Sequence, residues 1–344
     1  MSNRVPSKKV LVTGANGFIG LHTVLRLLQL GHMVHATVRT DGQQKNVQDA
    51  LSRQVDTGKL EFCLADLIKD DGWQAAIRGC DYVIHTASPV PLVDPKDEEE
   101  LINPARDGSL RILRFALAEQ IKRVVFLSST GAIVPGHAGE NRTFTEADWT
   151  NLDKCRRVYC KSKTLAERAA WDLINSPENK SGMEMVAINP SNVLGPVLDG
   201  RKHASIELHR SLMHAEVPGV ARIQFDFVDV RDLADILAQA LTEPRAAGKR
   251  FICNAASIPM LEIAEILHQN FSARGYRVPT RTIPDAVVRI YAFFIPKGRI
   301  IADSLQQRYS LSTEQIRSVF GWQPRPYRQT LIDMGESLIE FGLV

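Results

Sequence analysis

The sequence predicts an α/β protein: a doubly wound parallel sheet with a smaller, mainly helical C-terminal lobe. Three observations carry this. Short β-rich runs alternate with longer runs of helical period through the first two-thirds of the 344 residues, the rhythm of a parallel sheet wrapped by helices. The β-rich runs are apolar nearly throughout, as strands buried on both faces are. After Pro190 the rhythm changes, with Gly195-Pro196, Asp199-Gly200, Pro218-Gly219 and Pro244 punctuating shorter elements.

The expected strands are KKVLVT, HMVHATV, LEFCLA, DYVIHTA, KRVVFLS and MEMVAIN, in that order. Between them, helical spacing runs over Phe18 to Leu30, near Gln44 to Val55, Gly72 to Ile77, Glu98 to Glu119 and Tyr159 to Ile174. Gly31 follows Leu30 where a left-handed cap ends the first helix. The acidic run Asp97 to Glu100 reads as a solvated helix start. In the tail, Leu261 to Ser272 and Tyr327 to Phe341 read as helices, while FDFVDV and KRFICN read as strands that carry the chain back to the first lobe. The expected division is therefore residues 1–190 with a return near 222–254 for the first lobe, and 191–221 with 255–344 for the second.

Composition narrows the function classes. A formal charge of +3 without a long Lys/Arg block gives no electrostatic reason to expect a nucleic-acid partner. Five cysteines with no CxxC spacing fit neither a metal site nor a secreted disulfide framework, so reduced thiols, no metal and a cytoplasmic location are expected. MSNRVPSKK runs into VLVTG without the apolar stretch of a secretory signal. The most apolar later segment, Ala286 to Ile295, contains Arg289 and is well short of the roughly 20 residues of a membrane span; it reads as a buried or pocket-lining helix.

VLVTGANGFIG carries the first site. Gly14 allows a tight turn after the strand, Gly17 lets backbone approach a pyrophosphate, and Gly20 permits close packing of helix on strand. Asn16, Phe18 and Ile19 complete the loop, and the helix N-terminus supplies amide donors to phosphates. The second strand ends at Arg39 rather than at a carboxylate. An arginine suits a ribose 2′-phosphate, with Lys45 near enough to help, so NADP is expected over NAD and NADPH over NADH. The bland alternative is an ordinary surface arginine beside Asp41. Asp66 and Leu67 follow the third strand, either receiving the adenine or capping a helix, and Thr86-Ala87 ends the fourth strand with small residues on the same edge.

Tyr159 and Lys163 lie four apart, on one face of a helix. A tyrosine, whose unperturbed pKa is about 10, becomes a usable acid when an ammonium stabilises its phenolate. Tyr159 then protonates a carbonyl oxygen in reduction or takes the alcohol proton in oxidation, and Lys163 also holds the nicotinamide ribose. Ser128-Ser129-Thr130 closes the fifth strand, where a hydroxyl holds the substrate oxygen; Ser129 is preferred to Ser128, with Thr130 the remaining competitor.

VTGANGFIG, VRT, HTAS, VFLSST, YCKSKTLAERAAW and INPSNVLGP resemble the extended short-chain dehydrogenase/reductase family along essentially the whole chain, in particular its dihydroflavonol, cinnamoyl-CoA and methylglyoxal reductase branch. The resemblance implies a Rossmann-type first lobe, a catalytic set Ser129, Tyr159 and Lys163, and cofactor contacts from Ser128, from Pro190 to Val193 and from Ser205. Relatives often carry an asparagine in the fourth helix in a pattern like GTxN, where this chain has Gly108-Ser109-Leu110-Arg111. Dehydratases of the wider family have Asp and Glu after the catalytic hydroxyl, where this chain has Thr130 and Gly131, which favours simple reduction. Cys155 and Cys160 flank the catalytic helix, with two free thiols expected over a regulatory disulfide.

The expected function is thus NADPH-dependent reduction of a small aldehyde or ketone, with the loop Gly136 to Trp149 and the second lobe closing over it and with Phe227 or Tyr291 as lining residues. A nucleotide-sugar epimerase with tightly held NAD(P), a hydroxysteroid-type dehydrogenase and a non-catalytic NADP-binding regulator are the alternatives. A monomer and a homodimer are equally compatible with the chain.

Overall fold

The computed structural model describes residues 7–90, 94–294, 302, 304–305 and 308–344. The chain alternates β1 (Lys9–Thr13), α1 (Phe18–Gln29), β2 (Met33–Val38), α2 (Asp41–Ser52), β3 (Leu60–Leu64), α3 (Trp73–Ile77), β4 (Tyr82–His85), α4 (Glu99–Ala118) and β5 (Arg123–Leu127). It continues through β6 (Thr143–Phe144), α5 (Val158–Ile174), β7 (Glu184–Pro190), β8 (Asn192–Leu194), α6 (Glu207–Met213), β9 (Gln224–Asp229), α7 (Val230–Ala240) and β10 (Arg250–Cys253). The tail adds β11 (Ala256–Pro259), α8 (Met260–Phe271), α9 (Asp285–Phe294), β12 (Ser310–Leu311), α10 (Glu314–Phe320) and α11 (Tyr327–Glu340).

Seven parallel strands form the main sheet in the order β10-β7-β5-β4-β1-β2-β3. Side chains alternate across it with the two-residue period of a strand: Val10 and Val12 point into the core under α1, α2 and α7, and Leu11 into the core under α3, α4 and α5. The first core runs on without a break into the second lobe, through Phe227, Ile263, Leu331 and Met334. The main sheet and the C-terminal helices therefore share one close-packed hydrophobic core.

All six strands expected in the first lobe form, and KRFICN returns as the seventh, β10. FDFVDV does not join them. As β9 it sits in a separate three-stranded sheet between β8 and β11, and it ends at Asp229, whose carboxylate accepts the Arg231 N–H and so starts α7 at Val230. Gly31 takes the left-handed conformation (φ 83°) after α1, and the N–H groups of Gly31 and His32 donate to the carbonyls of Leu28 and Leu27. Asp97 accepts the Glu99 N–H at the start of α4, and Glu98 reaches across to Lys161 at 2.8 Å. No helix among the described residues is long and apolar enough to cross a membrane.

Helix α1 packs closely on the glycine loop that follows β1. A Cβ at Gly20 would lie 2.2 Å from the Gly14 carbonyl oxygen and 3.0 Å from the Ala15 Cα, both backbone atoms that cannot step aside alone. Gly20→Ala, which on an open helix would stabilise, is expected here to cost about 1–3 kcal/mol as overpacking outweighs propensity. A lowered thermal midpoint checks it; an unchanged or raised one rejects the close-packing role.

Candidate active site

The glycine loop lies at the carboxyl edge of the sheet. Gly14 has φ 70°, and a Cβ there would come within 2.8 Å of the Ala87 Cα, so the turn passes directly over the end of β4. The Ala87 N–H donates to Thr13 Oγ1 at 3.1 Å and the Thr86 hydroxyl to the Thr13 carbonyl at 2.5 Å, which ties the two strand ends together. Gly17 is exposed, and a Cβ on it would meet only the Gly14 carbonyl oxygen, at 3.3 Å. The fold thus leaves the space in front of it open. Phe18, Ile19 and Gly20 form the first turn of α1, whose amides have no acceptor within the helix and carry its positive dipole end. Glycine cradle, open approach and helix N-terminus fit a dinucleotide pyrophosphate.

Arg39 and Lys45 are both exposed. Arg39 uses its backbone N–H on Gln43 at 2.8 Å, and the two cationic side chains have no hydrogen bond or ion pair to another described residue. Arg39 follows β2 and Lys45 lies in α2, two uncommitted positive charges near where a 2′-phosphate is expected. Asp66 is half-buried and accepts the Ile68 N–H at 3.2 Å. Leu67 packs on Gly108, where a Cβ would stand 3.0 Å from the Leu67 Cβ. Arg111, at the position of the family asparagine, reaches the Leu67 carbonyl and Asp70, so in this chain that position anchors the loop after β3.

The catalytic candidates meet at the adjoining strand ends. Val158 N–H donates to Asp94 at 3.0 Å and starts α5, placing Tyr159 in its first turn. Ser129 Oγ accepts the Gly131 N–H at 3.0 Å, and its hydroxyl lies near enough to Tyr159 to favour the phenolate. Ser128 is 3 % exposed and turns inward, its hydroxyl donating to Glu167 Oε2 at 2.5 Å. Thr130 sits half-buried in the short helical turn that follows. Ser128 and Ser129 thus face different ways, because neighbouring side chains on an extended strand end point to opposite sides.

The electrostatics depart from expectation. Lys163 was expected to lower the Tyr159 pKa, but burial pushes Tyr159 up to about 12, the Cys160 thiol adds to this, and the Ser129 hydrogen bond opposes it. Lys163 Nζ donates instead to the Leu127 carbonyl at 3.1 Å. Burial brings its pKa down to about 8, with Glu167 pulling the other way. Desolvation at a water-poor helix start outweighs the pairing that sequence spacing suggested. Cys155 and Cys160 are buried free thiols, and Cys155 is the more acidic because the Cys160 thiol donates to it.

Pro190 ends β7 and Val193 lies in β8, both buried, with exposed Asn192 nearby, its amide donating to the Asp226 carbonyl at 2.9 Å. Ser205 is half-buried in a short turn just before α6. The preceding segment, which sequence reading passed over, closes on the glycine loop: Arg201 donates to the Asn16 side-chain oxygen and pairs with Asp199, and Asp199 also meets His203 at 3.1 Å. Phe227 is not a lining residue. It is 0 % exposed because β9 turns it into the shared core. The Tyr291 side chain and Ile295 lie outside the described residues. The segment Gly136 to Trp149 is anchored, with β6 paired to β12, Phe144 buried and Trp149 under the Arg250 guanidinium at 3.7 Å. Reading also missed Glu167, Asn189 and Arg250; the spacing of Glu167, four after Lys163, was the available signal.

Residues 10–256 match the NAD dependent epimerase/dehydratase family. The dihydroflavonol 4-reductase of Gerbera hybrida is 33 % identical over 280 residues, 79 % of this chain and 74 % of that protein. Cinnamoyl-CoA reductase 1 of Petunia hybrida is 31 % identical over 344 residues, 98 % of this chain and 94 % of that one. The crystal structure of yeast methylglyoxal/isovaleraldehyde reductase complexed with NADPH superposes with a TM-score of 0.81 at 27 % identity, covering 97 % of this chain and 99 % of that chain. With a glycine cradle on a seven-stranded parallel sheet and a Ser-Tyr-Lys cluster at its carboxyl edge, the chain belongs to the NAD dependent epimerase/dehydratase family, the extended short-chain dehydrogenases/reductases.

Proposed function

We propose that this NADP-dependent oxidoreductase of carbonyl groups reduces an aldehyde or ketone to its alcohol, with Tyr159 as the proton donor. The observation that carries the reading is the grouping of Ser129, Tyr159 and, one helical turn on, buried Lys163 at the sheet edge that also holds the glycine cradle. NADPH, when bound, supplies the hydride. The Ser129 and Tyr159 hydroxyls hold the carbonyl oxygen, and Tyr159 gives it the proton as negative charge develops there. The Lys163 ammonium stabilises the phenolate left behind. Arg39 and Lys45 favour the 2′-phosphate. Likeness to named dihydroflavonol, cinnamoyl-CoA and methylglyoxal reductases supports a carbonyl substrate.

The test is NADPH consumption, with NADH alongside, over aldehydes, α-diketones, β-ketoesters and flavanones. Turnover with NADPH is expected; NADPH binding with no turnover across the panel would sink the reading. The pH profile follows from the site. Tyr159, pushed up to about 12, stays protonated through the working range, so the titrating group is Lys163, cationic below about 8 and neutral above. The kcat/KM for reduction is expected to decline as pH rises through about 8; a profile flat to pH 10 rejects the role of the ammonium.

A further inference from the structure

Glu167 lies on α5, four residues after Lys163, and is 0 % exposed. Its Oε1 accepts Arg250 Nε at 2.6 Å and Trp171 Nε1 at 3.3 Å. Its Oε2 accepts Ser128 Oγ at 2.5 Å, Asn189 Nδ2 at 2.8 Å and Arg250 Nη2 at 3.3 Å. Arg250, 9 % exposed, directs Nη1 to the carbonyls of Glu146 and Asp148, both at 2.7 Å. A buried ion pair stabilises a fold no better than apolar side chains of equal volume, so folding alone gives no reason for it.

Its neighbours give one. The Asn189 amide that donates to Glu167 also donates to the Ser129 carbonyl at 3.2 Å. Ser128, bonded to the carboxylate, is the residue before Ser129, and Leu127, whose carbonyl receives Lys163, is the residue before that. Three successive residues at the end of β5 are thus held between Lys163 and Glu167. Among the described residues, the charges around the amine leave Glu167 without a rival. His85, on β4, is buried and kept neutral, its pKa lowered to about 3 by desolvation first and Lys163 second. Glu98 on α4 is taken up by Lys161, and Tyr159 and Cys160 on α5 itself are held protonated. Arg250 is positive and already paired with Glu167, and Arg157, before α5, acts on Tyr159 and Cys160.

We infer that Glu167 and Arg250 are positioning residues of the active site: the carboxylate holds the end of β5 and so fixes where Ser129 stands beside Tyr159, and its ion pair with Arg250 places a negative charge one turn from Lys163. This rests on the Ser129-Tyr159-Lys163 reading. Arg250 makes it possible to bury the carboxylate, and Asn189 passes the constraint to Ser129.

The test uses the full chain with NADPH and a turned-over carbonyl substrate. Glu167→Gln keeps the shape and removes the charge. Its alkaline limb in kcat/KM is expected about one pH unit lower, since loss of the carboxylate and release of the Arg250 charge both disfavour the ammonium. kcat is expected to fall about tenfold through loosened geometry, with NADPH affinity, read by fluorescence titration, close to that of the parent chain. Glu167→Asp is expected to bring the limb back. A lowered thermal midpoint with the limb unmoved would make the pair purely structural and overturn the inference. If Glu167→Gln does not fold, Ser128→Ala decides: lower kcat at unchanged NADPH affinity supports positioning, and parental kcat overturns it. Tyr159→Phe run alongside separates the two levels, because full activity there removes the Ser-Tyr-Lys reading itself.

Discussion

Tyr159→Phe is expected to lower kcat/KM for carbonyl reduction about 10²–10⁴-fold, the range a positioned general acid supplies, and to leave NADPH binding intact. The ring packs with Leu101, Ile102, Val158 and Leu165, contacts phenylalanine keeps, so the loss isolates the hydroxyl. Ser129 would retain the Gly131 N–H, so its placement would not change. Steady-state NADPH consumption reads the first quantity and fluorescence titration the second. Parental turnover would reject Tyr159 as the proton donor. Loss of turnover together with loss of binding would point to a damaged cofactor site.

Arg39→Gln should act on cofactor choice and not on chemistry. Hydrogen bonds to charged groups contribute about 1.5–3 kcal/mol, which corresponds to roughly a 10- to 150-fold weaker NADPH Kd, with NADH little changed. The side chain can be removed cleanly because it is exposed and makes no bond to another described residue. Lys45→Gln is expected to go the same way by less, since an exposed ammonium on a flexible stem is a point charge without the planar fork of arginine. Equal loss for NADPH and NADH would place Arg39 somewhere other than at the 2′-phosphate.

Much of this architecture was legible because it is locally encoded. A strand buried on both faces has to be apolar throughout, so Val10, Leu11 and Val12 declare β1 without knowledge of its neighbours. A turn over β4 needs glycine at Gly14, and a four-residue spacing on a helix puts Tyr159 and Lys163 on one side. FDFVDV shows the limit. Its apolar pattern announces a strand, but which sheet receives it depends on β8 and β11, which are set by the path of the whole second lobe. Phe227 was misplaced for the same reason, since a phenylalanine suits a pocket wall and a core equally well.

The acid strengths were the least legible, because desolvation belongs to the assembled fold. Four-residue spacing makes Lys163 a partner for Tyr159, but the Leu127 carbonyl is nearer to hand and burial acts on both groups at once. The sequence by itself determined the parallel α/β fold, the glycine turn and the placing of Tyr159 and Lys163 on one helix face, since each depends on periodicity or on a short covalent spacing. Only the tertiary structure decided that Ser128 turns inward and Ser129 outward, that Arg111 anchors the loop after β3, and that a carboxylate 83 residues from its arginine in sequence lies buried behind the site. Those outcomes depend on which groups distant in the chain arrive within hydrogen-bonding range and exclude water together, and no local pattern specifies that.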